Sequence, residues 1–186
     1  ALTGARPTMM LLCPEVRVVP VTIHLALRQA VEQLSTEAIV AAGQCTAQAL
    51  ESDFGLANPR LAVAALNPHA GEAATLGEEE VRIIAPAVAA LGEAGIRAFG
   101  PVPADTLFRA QQRQTYDAAL CMYHDQALIP LKTLAQDHGT NITLGLPIVR
   151  TSPDHGTALD LVGTGRASEA SLCAALALAA EVEARR

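Results

Sequence analysis

The chain has 186 residues, 51% apolar, 17% charged and 3% aromatic, with a formal net charge of −6. That is enough apolar material for one sizeable domain, or one domain and part of another, and too little charge for a disordered chain. The acidic balance and the absence of Trp argue against nucleic acid as a partner, which calls for a basic footprint and stacking platforms.

The opening residues, Ala1-Leu2-Thr3-Gly4-Ala5-Arg6-Pro7, put no basic stretch ahead of an apolar core and do not read as a signal peptide. Residues 16–23 form a β-branched run with Pro20 marking an edge or bulge. Residues 35–54 have helical period, with Ser35 as N-cap and Gly55 as stop. Residues 61–66 are a short buried strand after an Asn58-Pro59 turn. A helix opens near Leu76, its first turn enriched in acid by Glu78-Glu79-Glu80, and Pro86 ends or kinks it. Strands follow at 96–99, 116–123 and 141–149, and residues 168–186 are an Ala/Leu helix capped by Ser168. Alternating β and α segments indicate an α/β fold. No run approaches the roughly 18 apolar residues of a membrane span. Cysteines 13, 45, 121 and 173 are scattered in apolar stretches and read as buried free thiols of a reducing, cytoplasmic setting.

Three of the five histidines fall just past the carboxyl end of a predicted strand: His24, His69 and His124. In open α/β sheets that edge is where ligands bind. One such histidine is ordinarily a solvated loop residue or a hydrogen-bonded core group. Three in equivalent places are also the donor set of a divalent ion such as Zn²⁺, with Glu72 and Asp125 nearby as carboxylates able to orient the rings. The spacings, 45 and 55 residues, match no local metal motif, so the fold would have to assemble the site.

The chain has twelve Arg, 37 Ala and a single lysine, Lys132. Lys132, Asn141 and Arg150 lie in apolar, Gly-rich surroundings and suit a phosphate or carboxylate ligand, the alternative being solvated surface charge. The stretch His155-Gly156-Thr157-Ala158 lies in a Gly-rich run that allows close approach of a nucleotide, or is an ordinary irregular loop; no classical dinucleotide fingerprint is present.

In this order the motifs resemble the 4-hydroxythreonine-4-phosphate dehydrogenase family of pyridoxal phosphate biosynthesis. The stretches that carry the likeness are 21–28, 66–72 (Leu66-Asn67-Pro68-His69-Ala70-Gly71-Glu72), 100–108, 122–126 (Met122-Tyr123-His124-Asp125-Gln126), 141–147 and 150–158. The resemblance implies an NAD- or NADP-dependent dehydrogenase acting on a CH–OH group, with a divalent cation (Zn, Mg or Co). It further implies an isopropylmalate/isocitrate-dehydrogenase-like two-lobed fold, and a homodimer with the active site at the subunit interface. Residues 1–150 would form the metal- and substrate-binding lobe, and 151–186 the cofactor loop and a helix returning to the other lobe. His24, His69 and His124 match the metal ligands. Lys132, Asn141 and Arg150 match positions that bind a phosphorylated hydroxy amino acid, and His155, Gly156, Thr157 and Ala158 match the cofactor loop. Asp105 is a candidate general acid or base, or equally a helix N-cap. Family chains are longer, with a preceding region that supplies a further His-Thr pair, so this chain is expected to be a fragment with apolar surface left open, including Leu172, Leu176, Ala179 and Ala180 on the last helix.

Two alternatives stand beside this one. A sister dehydrogenase would act on a four-carbon sugar-acid phosphate or a dihydrodiol carboxylate. A non-catalytic metal- or phosphate-binding half would need no cofactor.

Overall fold

The computed structural model describes residues 4–5, 7–135 and 138–186, so residues 1–3 and 6 of the opening segment lie outside the described residues. The strands are β1 (Thr8–Cys13), β2 (Val16–Pro20), β3 (Arg60–Ala64), β4 (Arg97–Val102), β5 (Ala118–Cys121), β6 (Thr140–Leu144) and β7 (Thr151–Pro153). They form one sheet in the order β4-β3-β5-β2-β1-β6-β7. The first four in that order run parallel, and β1, β6 and β7 join antiparallel. The helices are α1 (Leu27–Gln33), α2 (Thr36–Ser52), α3 (Ala85–Glu93), α4 (Ala104–Leu107), α5 (Ala110–Arg113), α6 (His124–Ala135) and α7 (Ala170–Glu183). The fold is therefore mixed α/β around a single sheet, as alternating segments predict.

Both faces of the sheet are covered, so its central strands are apolar on both sides. On one face Ile39 and Leu50 of α2, Leu91 of α3 and Val182 of α7 pack with Val63, Leu120 and Ile142. On the other, Leu107, Tyr116 and the α6 residues Ala127 and Leu131 pack with Leu11, Val18, Ala62 and Cys121. Gly43 lets α2 pack close on α3: a Cβ there would lie 2.8 Å from the Leu91 side chain.

Several sequence expectations hold in detail. Ser35 caps α2, its Oγ accepting from Ala38 N at 3.1 Å. Pro86 falls at a helix irregularity: a π-helical turn, Glu80–Ile84, joins α3, which has the proline in its first turn. Others are corrected. The strands β1 and β7 were not anticipated: the first is built from Met and Leu, and the second has three residues ending in Pro153. Ser168 is not the N-cap of α7; that place belongs to Glu169, although Ser168 Oγ still accepts from Ala170 N at 3.3 Å. Of the four free thiols, Cys13 and Cys121 are buried, Cys45 is half-buried and Cys173 is exposed.

The last helix lies on β6 and β7 through Ser171, Ala175 and Val182. Ser171 Oγ donates to Gly139 O at 2.7 Å, and Arg186 closes a 2.8 Å ion pair with Asp53 at the end of α2. Its other stripe faces outward, with Leu172 49% and Leu176 62% exposed. This is the open apolar surface expected from the sequence.

One ion pair fixes the entry to the parallel strands. Asp117 accepts from Arg60 N at 2.7 Å and from the Arg60 guanidinium through both carboxylate oxygens. Burial alone pushes this carboxyl up, but the Arg60 hydrogen bonds and the charges of Arg60 and Arg17 outweigh it and hold the carboxyl below its ordinary value. Its contribution to stability is therefore full above about pH 4 and is lost as pH falls through the lowered value. Asp117→Asn should cost about 1–3 kcal/mol at neutral pH. Urea titrations of both proteins should differ by that amount at pH 7 and draw together as pH falls below about 4.

Candidate functional site

The site begins where three adjacent parallel strands end. In register, Pro20 of β2 lies beside Cys121 of β5, and Val63 of β3 lies beside Leu120 of β5. His24, His124 and His69 follow β2, β5 and β3 at four, three and five residues past their last residues, so all three leave from one sheet edge.

Past those last residues Val21 N still donates to Cys121 O at 2.8 Å and Thr22 N to Met122 O at 3.4 Å, and side chains supply the remaining hydrogen bonds. Thr22 Oγ1 donates to Met122 O at 2.7 Å and ties the β2 end to β5. Gln126, buried, accepts from Met122 N at 2.6 Å and donates to Ala65 O at 2.7 Å, tying β5 to β3. Glu80, 3% exposed, accepts from Leu66 N and Asn67 N at 2.8 and 2.7 Å. The sequence reading saw Glu80 as acid at a helix start; it is instead a buried acceptor for the chain leaving β3. Gln126 was passed over because nothing in its immediate neighbours reveals a partner 61 residues away.

His24 and His124 converge. Their ring centroids are 5.5 Å apart at 47°, on the wall of a cavity of about 250 Å³ shared with Ile23, Leu25, Leu27, Ala30, Tyr123 and Asp125. Two imidazoles bound to one tetrahedral ion at about 2.0–2.1 Å would place their centroids about 5 Å apart, so this pair fits a shared divalent ion. His124 Nδ1 lies 2.7 Å from Asp125 Oδ1. With Nδ1–H donating to that carboxylate, Nε2 carries the free lone pair, the arrangement of a ligating histidine. His69 does not join them. It is exposed on a 3₁₀ turn, Pro68–Glu72, and among the described residues no group of three His, Cys, Asp or Glu side chains could hold a metal. One chain thus brings two of the three histidines together.

Lys132 lies on α6 eight residues after His124, about 12 Å along the axis. Lys132 is neither a free solvated charge nor unpaired: Nζ donates to Asp154 O at 2.7 Å and sits 3.2 Å from Asp154 Oδ2. Lys132, Asp154 and His155 line a cavity of about 160 Å³ with Gly139, Ser168 and Ser171. Asn141 pairs with Leu11 across β1, and Leu11 packs in the α6-side cluster, so Asn141 faces α6 as well. Its Oδ1 is buried and has no partner among the described residues. Arg150 is exposed and donates to Thr143 Oγ1 at 2.8 Å, two residues along the same face from Asn141. Lys132, Asn141 and Arg150 therefore belong to the α6 side of the sheet.

The stretch His155, Gly156, Thr157 and Ala158 is an exposed loop in which His155 Nδ1 lies 2.9 Å from Gly156 O. Asp105 is exposed in the first turn of α4. The N-cap reading of Asp105 is overturned, because Pro103 occupies that position without a side-chain cap.

Residues 1–179 match the family model described as pyridoxal phosphate biosynthetic protein PdxA. The chain belongs to the PdxA family. Among curated relatives, the 4-hydroxythreonine-4-phosphate dehydrogenase of Caulobacter vibrioides is 61% identical over 100% of this chain and 56% of its own length. That of Bradyrhizobium diazoefficiens is 58% identical over 97% of this chain and 52% of its own. The chain spans about half the length of the curated relatives it matches. Among solved structures, the same-named dehydrogenase of Klebsiella pneumoniae superposes with a TM-score of 0.87 at 42% identity, over 97% of this chain and 55% of that one. A terephthalate 1,2-cis-dihydrodiol dehydrogenase from Burkholderia xenovorans superposes with a TM-score of 0.77 at 30% identity, over 94% of this chain and 55% of that one. This PdxA-family chain has no helix among its described residues that is long and apolar enough to cross a membrane.

Gln126 makes the strand-end tie testable. Gln126→Leu leaves the Met122 N–H and the Ala65 carbonyl buried and unpaired, and should cost about 2–5 kcal/mol. Gln126→Glu keeps an acceptor for Met122 N but sets a buried carboxylate oxygen against the Ala65 carbonyl, and should cost more at neutral pH. Guanidinium unfolding of the two variants should rank them in that order.

Proposed function

We propose that the intact protein is an NAD(P)- and divalent-metal-dependent 4-hydroxythreonine-4-phosphate dehydrogenase. It oxidises the substrate's C3 hydroxyl to a ketone and releases CO₂ from the resulting β-keto acid, giving 3-amino-2-oxopropyl phosphate. The observation that carries this reading is the His24–His124 pair at the end of the parallel strands, with Asp125 against His124. The names of the relatives support the same activity.

His24 and His124 would hold the ion from one subunit, and His69 would complete the site from the second subunit of a homodimer. The ion, when bound, supplies Lewis-acid polarisation of the hydroxyl and of the ketone that replaces it, and NAD(P)⁺ supplies the hydride acceptor. The remaining work falls to this chain. Arg150, with no carboxylate in ion-pair distance among the described residues, binds one anionic end of the substrate bidentately. Lys132 turns from Asp154 toward the substrate as a second cation, and the unpartnered Asn141 Oδ1 accepts from a substrate donor such as its ammonium. The loop 155–158 lies open beside Lys132 for the cofactor, and Asp105 remains the candidate for proton transfer. Residues 1–150 would form the metal and substrate lobe, and 151–186 would return to the other lobe.

The structural likeness to a dihydrodiol dehydrogenase favours one second reading, in which the substrate is a dihydrodiol carboxylate. Two cations on the α6 side of the sheet suit either doubly anionic substrate, and the names of the more similar relatives support the phosphorylated one. Steady-state assays of the intact protein with each substrate decide between them.

Lys132→Ala and Arg150→Ala should each lower kcat/KM at least about tenfold through KM. Melting temperature should barely move, because exposed ion pairs contribute little to stability. The subunit arrangement has its own check. His24→Ala and His69→Ala homodimers should both be inactive, and mixing them should restore about a quarter of wild-type activity, because a mixed dimer then keeps one complete site. No restoration on subunit exchange would place all three ligands within one subunit.

A further inference from the structure

We infer that Glu80 is a positioning residue for His69, a role that rests on the reading of His69 as a metal ligand. The argument begins with the backbone after β3. His69, Ala70, Gly71, Glu72, Ala73 and Ala74 have φ of 52°, 53°, 73°, 42°, 53° and 71°. Six successive residues are thus left-handed, and one of them is glycine. Each of the other five holds a backbone conformation that its Cβ disfavours. Local preference does not hold such a turn; its surroundings must.

Glu80 is what the surroundings provide. Its Oε1 accepts from the backbone N–H groups of Leu66 and Asn67, the two residues that lead out of β3. Its Oε2 accepts from the Asn67 side-chain amide at 2.9 Å, and the same amide donates to Glu79 Oε2 at 2.7 Å. The turn closes over this carboxylate. A Cβ on Gly71 would stand 2.6 Å from Glu80 Oε2 and 3.0 Å from Gly77 O, so glycine is needed there for space as well as for φ. Leu76 N donates to Gly71 O at 3.0 Å and shuts the loop.

The chemistry of the residue matters. Among the described residues, every hydrogen-bonding group that contacts the Glu80 carboxylate is an N–H donor. A carboxylate accepts from all of them, whereas a glutamine amide of the same shape would set its own N–H groups against a donor. Glu80 also has a rigid base, the helical turn that runs into α3, which packs on α2 and β4. The carboxylate thereby fixes where the chain leaves β3 and which way the turn carries His69, without touching the imidazole.

The test uses the intact protein stripped of metal. Zinc affinity is measured by competition with a chromogenic chelator, and hydrogen–deuterium exchange is followed over residues 66–76. Glu80→Gln should weaken zinc binding about 10- to 100-fold. It should also speed exchange in 66–76 while leaving β5 unchanged. Glu80→Asp, which withdraws the carboxylate by one methylene, should fall between wild type and Glu80→Gln. His69→Ala serves as the reference. If His69→Ala weakens zinc binding and Glu80→Gln does not, the positioning role is wrong and the metal reading stands. If His69→Ala leaves zinc affinity at the wild-type value, the metal reading of His69 falls and this role falls with it. Faster exchange throughout the chain in Glu80→Gln would mark a general stabilising residue and also overturn the proposal.

Discussion

The site depends on how buried backbone groups are satisfied where parallel strands part. Inside the sheet, β3, β5 and β2 satisfy one another. Beyond Ala64, Cys121 and Pro20 that pairing thins to single bonds, Val21 N to Cys121 O, Thr22 N to Met122 O and Ala65 N to Val102 O, yet the chain is still buried, and an unpaired buried peptide group costs as much as a lost hydrogen bond. Thr22, Gln126 and Glu80 take over the missing partners. Each spans from one strand end to its neighbour or to the chain it releases. The histidines then leave from three points whose relative positions are set by short polar contacts, not by loop preference. A polar network of this kind is rigid when fully satisfied, which is what a site assembled from distant segments requires.

The sheet and the site were legible in the sequence to different depths. The strands of the parallel half announce themselves as short β-branched or Ala/Leu runs, each followed by a polar motif, and Ser35 marks the start of α2 by an interaction three residues long. The same pattern pointed to His24 and His124 sharing an edge. What stayed hidden acts at long range. Glu80 looks like one of three acidic residues at a helix start, and its burial follows from the path of residues 66–77. Asp154 reaches Lys132 only because α6, β6 and β7 fold back on one another. The strand β1 has no alternation to read, because both of its sides meet core. The separation of His69 from the other two rings is a matter of turn geometry, with five left-handed non-glycine residues that no propensity would forecast.

The anion-binding candidates follow a different logic from the histidines. Asn141 and Arg150 belong to the antiparallel half, and α6 bridges the two halves by carrying His124 at one end and Lys132 two turns later. A single helix therefore sets the distance between the metal candidates and the first cation. The antiparallel ladder of β1, β6 and β7 sets the remainder, so changes that slip its register would turn Asn141 to the opposite face.

The outermost strands limit how another chain can add to the sheet. One border of the sheet is β4, whose Pro101 offers no N–H; the other is β7, which ends on Pro153 and is overlaid by α7. Neither border offers a long uninterrupted row of donors and acceptors, so strand addition from another molecule is discouraged at both. Self-association is left to side-chain surfaces, and the apolar residues at Ile23, Leu25 and Leu27 sit at the rim of the cavity holding His24. Borders closed in this way leave exposed apolar side chains, those beside His24 and those of Leu172 and Leu176 on the last helix, as the surfaces open to a partner.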